Sequence, residues 1–567
     1  MPPSKTQIIM GIDFGSTISR SCFLKDGQMH TMEPIPSYVG FDDQEGRLIV
    51  GREAQIRYHR DQKSHVVYNL KEAILKDERF ALGPDTFLAV SLVSELLRVM
   101  KQNVQIMTGT TVTRAVMTVP SFFSELHKGA LKDAATLTGI VDVQLISEPT
   151  AALIYYQSLL SAQKIDENES KRNVLLLDSG GLTTDATLCQ VGPQTFQIRG
   201  VHGDNAGGCY QVDRAISQLI ATSLLAETDY SIADIDSRQL QAVSEGVKIQ
   251  YNCEDVTIDL PLKNRTNSIK MTLKSEALGH RFEKYLDSIS RVYQEIKKAG
   301  PIDQILLIGG PFQSSYIKDS IKATLAQKVV DLRDYGFVVA RGAAIFGQHQ
   351  AMGSRVGVRD LVPMPIGVEV GRGHFSRIVP PNALCPSSHK KIFTTTEDNQ
   401  KKIRINIFQG SRLMVKDCYY LGSVVLDDLV LADAGVPEIE VSLDITEEGL
   451  LSVRARDLIK NTTQSKVISA ENRLDELSKI LIQKQLEKYH DVREHRDKIN
   501  LSDIARSWLY RLESRKNLSP LIVIKKEALK LELERVPVDY EKVKSLLEEI
   551  SHHQGSESCD SSLPSEK

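Results

Sequence analysis

Residues 8–17 read Ile-Ile-Met-Gly-Ile-Asp-Phe-Gly-Ser-Thr, and residues 174–185 read Val-Leu-Leu-Leu-Asp-Ser-Gly-Gly-Leu-Thr-Thr-Asp. Each stretch is an apolar run, an Asp and a turn of glycine and hydroxyl residues, and a second apolar run follows it. This pattern predicts a strand, a tight turn and a returning strand, so it indicates one hairpin used twice. Helical stretches at 88–103 and 124–139 alternate with β-rich runs such as 114–119, which favours α/β lobes.

Length and composition narrow the class of protein. A chain of 567 residues is too long for one hydrophobic core, so we expect two to four domains. Because 70 Lys and Arg balance 73 Asp and Glu, nucleic acid is not expected as the main partner. Residues 1–7 are polar and the apolar run after them is short, which predicts no signal or membrane helix and a cytoplasmic protein. The seven cysteines lack C-x-x-C spacing, which argues against a zinc site or a disulfide framework.

The pattern changes after about residue 350. Residues 364–457 form short alternating segments between turn residues, which predicts an antiparallel β-sandwich. From about 470 the apolar residues recur with helical spacing. Residues 552–567 are rich in Ser and Glu with almost nothing to bury, so we expect a disordered tail.

Both glycine turns have the composition of a phosphate and metal site. Such a turn can point successive backbone N–H groups at a phosphate while its carboxylate reaches a magnesium ion through water. A single turn of this kind is more often an ordinary hairpin. Duplicated lobes would place the two turns face to face, with the metal between Asp13, Asp178 and Asp185. Phosphoryl transfer needs this positioning and charge neutralisation.

Two further segments are candidates. Gly309 and Gly310 follow an apolar run and precede a helical stretch, so their backbone could pass close to a nucleoside. A plain strand-to-helix turn is an equally good interpretation. Glu148 stands just before Pro149 at a helix start, where its carboxylate could orient an attacking water, although alone it reads as an ordinary helix-start residue.

In their order and spacing, these segments resemble the nucleotide-binding domain of the DnaK, or seventy-kilodalton heat-shock, chaperone family. The resemblance to the family runs from residue 8 to about 470. Within that family the chain resembles the short-lid bacterial paralogues of the HscC type. The motifs are Gly11-Ile-Asp13-Phe-Gly15-Ser16-Thr17, Val119-Pro120, Glu148-Pro149-Thr150-Ala151-Ala152, Asp178 to Asp185, and Gly309-Gly310. The resemblance implies a two-lobed α/β actin-like ATPase domain at 1–352, a linker at 353–362, an antiparallel β-sandwich for substrate at 363–470, a short α-helical lid at 471–551 and a tail at 552–567.

The resemblance also assigns site residues, with ATP or ADP and Mg²⁺ as cofactors. Lys71 matches the family's catalytic lysine, Glu148 and Asp178 would position water, and Asp13 and Asp185 would hold the hydrated magnesium. Thr183 would contact a phosphate oxygen, Glu245 and Lys248 the ribose and adenine, and Pro120 and Lys128 match a proline switch and a basic relay. The nucleotide-binding turns would be formed by Gly15, Ser16, Thr17, Gly180, Gly181, Gly309 and Gly310.

Several departures from the family pattern surround the nucleotide. Leu182 replaces a glycine of the second turn, which predicts a less close approach to phosphate. Ile249 and Gln313 stand where relatives have arginines that sandwich the adenine, and Cys209 and Pro311 alter the neighbouring turns. We therefore expect weaker nucleotide affinity. The linker keeps only two apolar positions, in Val356-Gly357-Val358-Arg359-Asp360, which predicts weaker coupling between the domains.

In the sandwich, the resemblance assigns a pocket for one aliphatic side chain of an extended peptide. Its walls would be Val368, Val370, Phe393, Ile403 and Ile405, although core packing is the commoner role for any one of them. The residues that arch over the peptide would be Gly371 and Thr396, both small, so substrate would be held loosely. Unfolded polypeptides, a J-domain co-chaperone and a nucleotide exchange factor are the implied partners.

Three functions remain open from the sequence. An ATP-driven chaperone uses every motif. A family member that binds nucleotide without hydrolysing it would explain Leu182, Ile249, Pro311 and Gln313. A small-molecule kinase shares the phosphate turns but has no need of the sandwich and the lid.

Overall fold

The computed structural model describes residues 8–489, with short gaps, and then residues 505, 509, 512, 520–534, 542–543, 545–547 and 549. The gaps are 61–64, 77, 121–122, 124, 163–171, 193–194, 205–206, 236, 263–267, 326, 331, 333, 354–356, 360, 363, 447–450 and 468–473. The predicted tail, most of the predicted lid, and Val356 and Asp360 of the linker lie outside the described residues.

The described residues from 8 to 162 build one large sheet with helices and smaller sheets around it. The elements are β1 (Ile9–Asp13), β2 (Ile18–Lys25), β3 (Gln28–Thr31), β4 (Ile35–Pro36), β5 (Val39–Asp42), β6 (Arg47–Val50), α1 (Arg52–Arg60), β7 (Val66–Val67), α2 (Leu70–Leu75), β8 (Arg79–Leu82), β9 (Asp85–Leu88), α3 (Ala89–Thr108), β10 (Arg114–Val119), α4 (Glu125–Leu137), β11 (Asp142–Ser147) and α5 (Glu148–Ala162). The large sheet has the order β11-β10-β1-β2-β3, with β4 beside β2.

The next segment, to residue 359, builds a second large sheet. Its elements are β12 (Arg172–Ser179), β13 (Thr184–Val191), β14 (Thr195–Asp204), α6 (Tyr210–Glu227), α7 (Ser237–Gln250), β15 (Val256–Pro261), β16 (Ser268–Leu273), α8 (Ser275–Lys297), β17 (Gln304–Ile308), α9 (Ser315–Leu325), β18 (Val329–Val330), α10 (Val338–Ala351) and β19 (Gly357–Arg359). Short 3₁₀ turns occupy Ile232–Asp234 and Gly310–Gln313. The sheet order is β18-β17-β12-β13-β14-β19.

The two large sheets repeat one topology, which confirms the prediction of a hairpin used twice. In each, an antiparallel hairpin, β1-β2 or β12-β13, lies beside two parallel strands and is extended by a third antiparallel strand. Both glycine turns therefore end the central strand of a sheet at equivalent positions. Helices α5 and α10 pack together in the apolar layer that contains residues of both sheets. Gly342 permits this approach, because a Cβ there would lie 1.8 Å from the carbonyl oxygen of Ala151.

The predicted alternating strands form two antiparallel four-stranded sheets. The elements are β20 (Leu361–Val362), β21 (Ile366–Val370), β22 (His374–Val379), β23 (Ala383–Leu384), β24 (Ser387–Phe393), β25 (Lys402–Gln409), β26 (Tyr419–Asp427), β27 (Ile439–Ile445), β28 (Leu451–Asp457) and β29 (Thr463–Val467), with 3₁₀ turns at Gly371–Gly373 and Val415–Asp417. The sheets have the orders β22-β21-β25-β26 and β24-β27-β28-β29. Alternate residues of β27 and β28 are buried, as the sequence pattern predicts, and both sheets contribute to one apolar core.

Two described helices follow, α11 (Glu476–Glu487) and α12 (Pro520–Glu534). The inward face of α11 packs into the core of the first lobe, where Ile482, Leu486 and Tyr489 are buried. The ring of Tyr489 lies edge-on to Phe41 and Phe87, with centroids 5.4 and 5.6 Å away. The helix that begins the predicted lid is therefore attached to the nucleotide-side lobe.

One further contact joins the predicted linker to the second large sheet, and another joins the sandwich to the first lobe. Strand β19, in the predicted linker, pairs in parallel with β14, so that Val358 stands opposite Phe196. The ring of Tyr419 on β26 lies edge-on to that of His127 on α4, with centroids 5.0 Å apart. Among the helices of the described residues, none is both long and apolar enough to cross a membrane.

Candidate active site

The two predicted phosphate turns meet at the site. A Cβ on Gly181 would lie 2.9 Å from Cγ2 of Thr17, so the second turn touches the first. The first turn is tight, since a Cβ on Gly15 would lie 2.1 Å from the carbonyl oxygen of Ile18. Ser37 braces it, because its N–H donates to Thr17 at 2.8 Å and its hydroxyl donates to Gly15 at 2.7 Å. The face-to-face arrangement expected from the duplication is present.

The second turn is held by the start of α6. The backbone N–H groups of Gly208, Cys209 and Tyr210 donate to the carbonyl oxygens of Leu182, Gly180 and Gly181, at 3.0, 3.0 and 2.8 Å. Leu182 is not among the described non-glycine residues with positive φ, so its backbone needs no glycine. Glycine is instead required on the other side of this contact, because a Cβ on Gly208 would lie 2.2 Å from the carbonyl carbon of Leu182. The conformational restriction expected of Leu182 is therefore not seen.

The third glycine turn leans on the second. Gly309 has φ 108°, a conformation that glycine adopts readily, and a Cβ there would lie 2.0 Å from the carbonyl oxygen of Ser179. Its N–H donates to the carbonyl oxygen of Tyr335 at 3.2 Å. A 3₁₀ turn, Gly310–Gln313, separates it from α9, so the helix does not start directly after the glycines as the sequence suggested. All three turns converge on one cleft.

Lys71 lies in this cleft and not at the surface. Its Nζ donates to Oε1 of Glu148 at 2.7 Å, and the side chains are only 12% and 15% exposed. The lysine comes from the first turn of α2, and the glutamate begins α5. Burial works to lower the pKa of Lys71, but the charges of Glu148 and Asp13 outweigh it and raise that pKa. Lys71 is therefore a charged group inside the site.

The predicted carboxylates surround this ion pair. Burial, reinforced by the charge of Glu148, raises the pKa of Asp13 to about 6 and that of Asp185 to about 7. The same two causes raise the pKa of Asp178 well above its ordinary value, with Asp185 and Asp13 adding to it. A hydrogen bond with Thr183 partly opposes the shift at Asp185. Asp178 and Asp185 are directly opposed in the β12-β13 hairpin.

Burial is the main cause of these raised pKa values, and repulsion among the carboxylates adds to it. Three aspartates and Glu148 face one ammonium group, Lys71, in a site shielded from water. A divalent cation would relieve their mutual repulsion, and oxygen ligands of this type suit magnesium. Carboxylates beside glycine turns are also the donors that a magnesium–polyphosphate complex requires. The residues present therefore fit a hydrated magnesium ion.

The end of the cleft that the resemblance assigns to the ribose and adenine, here called the base end, is built differently. Lys248 is buried, and its Nζ lies 2.8 Å from a carboxylate oxygen of Asp213, which the sequence did not single out. Glu245 is exposed on the same helix, α7. Ile249 is 38% exposed and Gln313 is exposed, so neither forms a closed wall. The predicted contact of Lys248 with a ribose competes with its ion pair to Asp213.

The predicted peptide pocket divides into core and surface residues. Val368 and Ile405 are 2% and 5% exposed and belong to the closed core of the sandwich. Val370, Phe393 and Ile403 are partly buried against that core, so they are the wall residues that a ligand could reach. Gly371 and Thr396, the expected arch, are both exposed.

The sequence interpretation missed three residues around the cleft. Asp213 gave no signal, because its partner Lys248 comes from another helix. Arg20 could have been found, since a tight hairpin after Asp13 places it directly opposite. His127 lies 2% exposed beside Phe123, whose ring is 5.8 Å from Nζ of Lys71. Asp213 and His127 are joined to the site only by the folded chain.

Paired α/β sheets of one topology, converging glycine turns and buried carboxylates define the class of fold and the candidate site. The family model described as Hsp70 protein matches residues 49–562. The chain belongs to the Hsp70 family.

Curated relatives carry the same assignment. The chain is 30% identical to the chaperone protein DnaK of Picrophilus torridus, with 85% of this chain and 81% of the relative covered. It is 29% identical to that of Thermoplasma acidophilum, covering 90% and 86%, and 27% identical to that of Methanothermobacter thermautotrophicus, covering 90% and 88%. At these identities the chain is a divergent member of the family.

Proposed function

We propose that this protein is an ATP-dependent chaperone that binds extended hydrophobic segments of unfolded proteins under nucleotide control. The proposal divides the chain into a nucleotide-binding domain at 1–352, a linker at 353–362, a substrate-binding sandwich at 363–470 and a helical lid at 471–551. The observation that carries it is the Lys71–Glu148 ion pair among Asp13, Asp178 and Asp185.

At the phosphate end, the proposal gives each charged residue a task. Asp13 and Asp185 hold the hydrated magnesium, which when bound neutralises phosphate charge. Lys71 holds a positive charge beside the terminal phosphate, and Thr183 donates to a phosphate oxygen. Glu148 and Asp178 orient the attacking water, because their carboxylates accept hydrogen bonds from its O–H groups. The three glycine turns contribute backbone N–H donors from Gly15 to Thr17, Gly180 to Gly181 and Gly309 to Gly310.

At the base end, binding is proposed to be weak. Ile249 offers an apolar ledge, and Glu245 lies near Lys248 for the ribose. Lys248 is engaged by Asp213, so a ribose contact must share or replace that ion pair. Affinity should therefore come mainly from the phosphates.

In the sandwich, the proposal places one aliphatic side chain of the client against Val370, Phe393 and Ile403, above Val368 and Ile405. Thr396 and Gly371 cover it only slightly, so the lid has to contribute to retention. A J-domain co-chaperone and an exchange factor are the proposed partners. The β14-β19 pairing and the His127–Tyr419 contact supply a physical connection between cleft and sandwich.

Single-turnover hydrolysis of ATP tests the proposal. Wild type should release free phosphate, faster with a J-domain protein and an unfolded peptide, and Lys71→Ala should lose at least 100-fold of this rate. Lys76→Ala is the matched control, because Lys76 is solvent-exposed just after the same helix, α2. Equal rates in Lys71→Ala and wild type would exclude the enzymatic function.

A second candidate is a family member that binds nucleotide but does not hydrolyse it. The Lys248–Asp213 pair and the exposed Gln313 favour it, since a nucleotide held loosely at the base end would be poorly positioned for phosphoryl transfer. Wild type that binds ATP in calorimetry, yet releases no phosphate over hours with co-chaperone and peptide, would establish this second function.

A further inference from the structure

Arg20 lies beside the carboxylates of the cleft. In the β1-β2 hairpin it stands directly opposite Asp13, so the two side chains leave the same face of the sheet. Asp13 is the residue with which the first glycine turn begins. Arg20 therefore approaches the phosphate end from the strand that returns from that turn.

The guanidinium of Arg20 rests on the loop that supports the third glycine turn. A Cβ on Gly336 would lie 3.0 Å from Nε and 3.1 Å from Cζ and Nη2 of Arg20, so the absence of a side chain there makes room for it. Its Cζ is 5.8 Å from the ring centroid of Phe337. The neighbouring Tyr335 accepts the N–H of Gly309. The guanidinium therefore bridges the strand after the first turn and the loop behind the third.

A second arginine on the same ring provides a contrast. Arg341 lies with Cζ 5.7 Å from the centroid of Phe337, but it forms an ion pair with Asp334 and donates to the hydroxyl of Tyr155 at 3.1 Å. Within the part of the chain that the structure describes, no carboxylate oxygen lies within 4 Å of the Arg20 guanidinium. The guanidinium of Arg341 is therefore held by contacts within the protein, whereas that of Arg20 can bind an anionic group in the cleft.

The charge of Arg20 reaches the site. Its charge acts on Asp13, as the charge of Lys71 also does. Four carboxylates otherwise face Lys71 alone. A polyphosphate would add more negative charge, and a guanidinium is suited to phosphate because its N–H donors can bind two oxygens at once.

We propose that Arg20 is a second cationic group of the phosphate site, which binds phosphate oxygens of the nucleotide. This inference rests on the proposed nucleotide binding. It adds a side chain of β2 to the phosphate contacts proposed for the glycine turns and Lys71. It also gives the phosphate end a source of affinity that offsets the weak base end.

Calorimetric titration with ATP, ADP and adenosine tests the inference. Arg20→Met keeps an unbranched side chain on Phe337 but removes the charge, and it should weaken ATP and ADP about tenfold while leaving adenosine unchanged. Arg20→Lys should recover part of the loss. Arg341→Met, which removes the other guanidinium from the same ring, should alter ATP and adenosine binding equally or not at all.

The outcomes separate the inference from the function on which it rests. Wild type that binds no nucleotide would overturn both. Wild type that binds ATP, with Arg20→Met unchanged or weakened equally for ATP and adenosine, would overturn only the role of Arg20. Thermal unfolding monitors the fold. If Arg20→Met unfolds, the Arg20→Lys variant tests the inference instead. An unchanged ratio of ATP to adenosine affinity in that variant contradicts bidentate phosphate binding, whereas a several-fold fall in this ratio supports it.

Discussion

The two ends of the cleft differ in how their charges are arranged. At the phosphate end, acidic residues outnumber the cations and are buried together, so the site is left with an excess of negative charge. At the base end, Lys248 is already neutralised by Asp213, and Gln313 is open to solvent.

This difference predicts which of the two ends should supply most of the free energy of nucleotide binding. A group that is already paired gains little from a ligand, because the existing interaction must be broken first. Buried charges of one sign gain much from a counter-charge. Phosphates and magnesium should therefore dominate recognition, and the base should contribute little.

The largest expected effect concerns Glu148 at the phosphate end. Glu148→Gln removes the carboxylate paired with Lys71, and single-turnover hydrolysis should fall by about 10²- to 10⁴-fold. Glu72→Gln, an exposed glutamate on α2, should keep wild-type turnover. A rate within threefold of wild type for Glu148→Gln would contradict a catalytic role for the phosphate end.

The charge excess also predicts a pH-dependent stability. Folding raises the pKa of Asp185 to about 7 from an ordinary value of 3.8, so the folded state binds that proton more tightly. Without magnesium, stability is fully present below about pH 4 and is lost as the pH rises through about 7, by up to ~4 kcal/mol. Urea unfolding at pH 4 and pH 8 measures this loss. Asp185→Asn should flatten the difference, and a steeper one would contradict the assignment.

At the base end, Gln313→Arg should tighten binding. An exposed guanidinium on the 3₁₀ turn could stack on the base, which is worth about 1–2 kcal/mol, or roughly tenfold in affinity. Calorimetry should find the same gain for adenosine as for ATP. A gain confined to ATP would show that the new charge acts on phosphate, and the proposed division of the cleft would be wrong.

The smallest effect is expected for Leu182→Gly. Because the backbone of Leu182 already avoids positive φ, glycine removes only its side chain, and ATP affinity should change by less than about threefold. Gly208→Ala is the informative counterpart, since a Cβ there meets Leu182 at 2.2 Å and should distort the turn. Similar affinities for both variants would show that this contact does not shape the phosphate turn.

Local pattern was enough to predict much of this molecule. Both hairpins, their turns and the alternating strands of the sandwich follow from periodicity and glycine placement within about twenty residues. The three aspartates of the phosphate end, Asp13, Asp178 and Asp185, lie at those turns, so they could be predicted with them. The identity of Lys71 as a site residue depended on resemblance, because nothing in its own segment indicates burial.

Other features depended on contacts between distant segments. The Lys248–Asp213 pair joins two helices, and the docking of α11 joins residue 489 to residue 85. No periodicity specifies such partners. The contact between Leu182 and Gly208 is of the same kind, since Gly208 comes from a segment that the turn motif does not include.

Helix α11 completes the core of a lobe whose strands and helices end more than 300 residues earlier in the chain. During synthesis at ~5–20 residues per second, the apolar groove that receives Ile482 and Leu486 would stay uncovered for roughly 20–70 s after α4 has been made. The nascent protein would pass through a stage in which its own first lobe exposes an apolar surface of the kind that chaperones recognise.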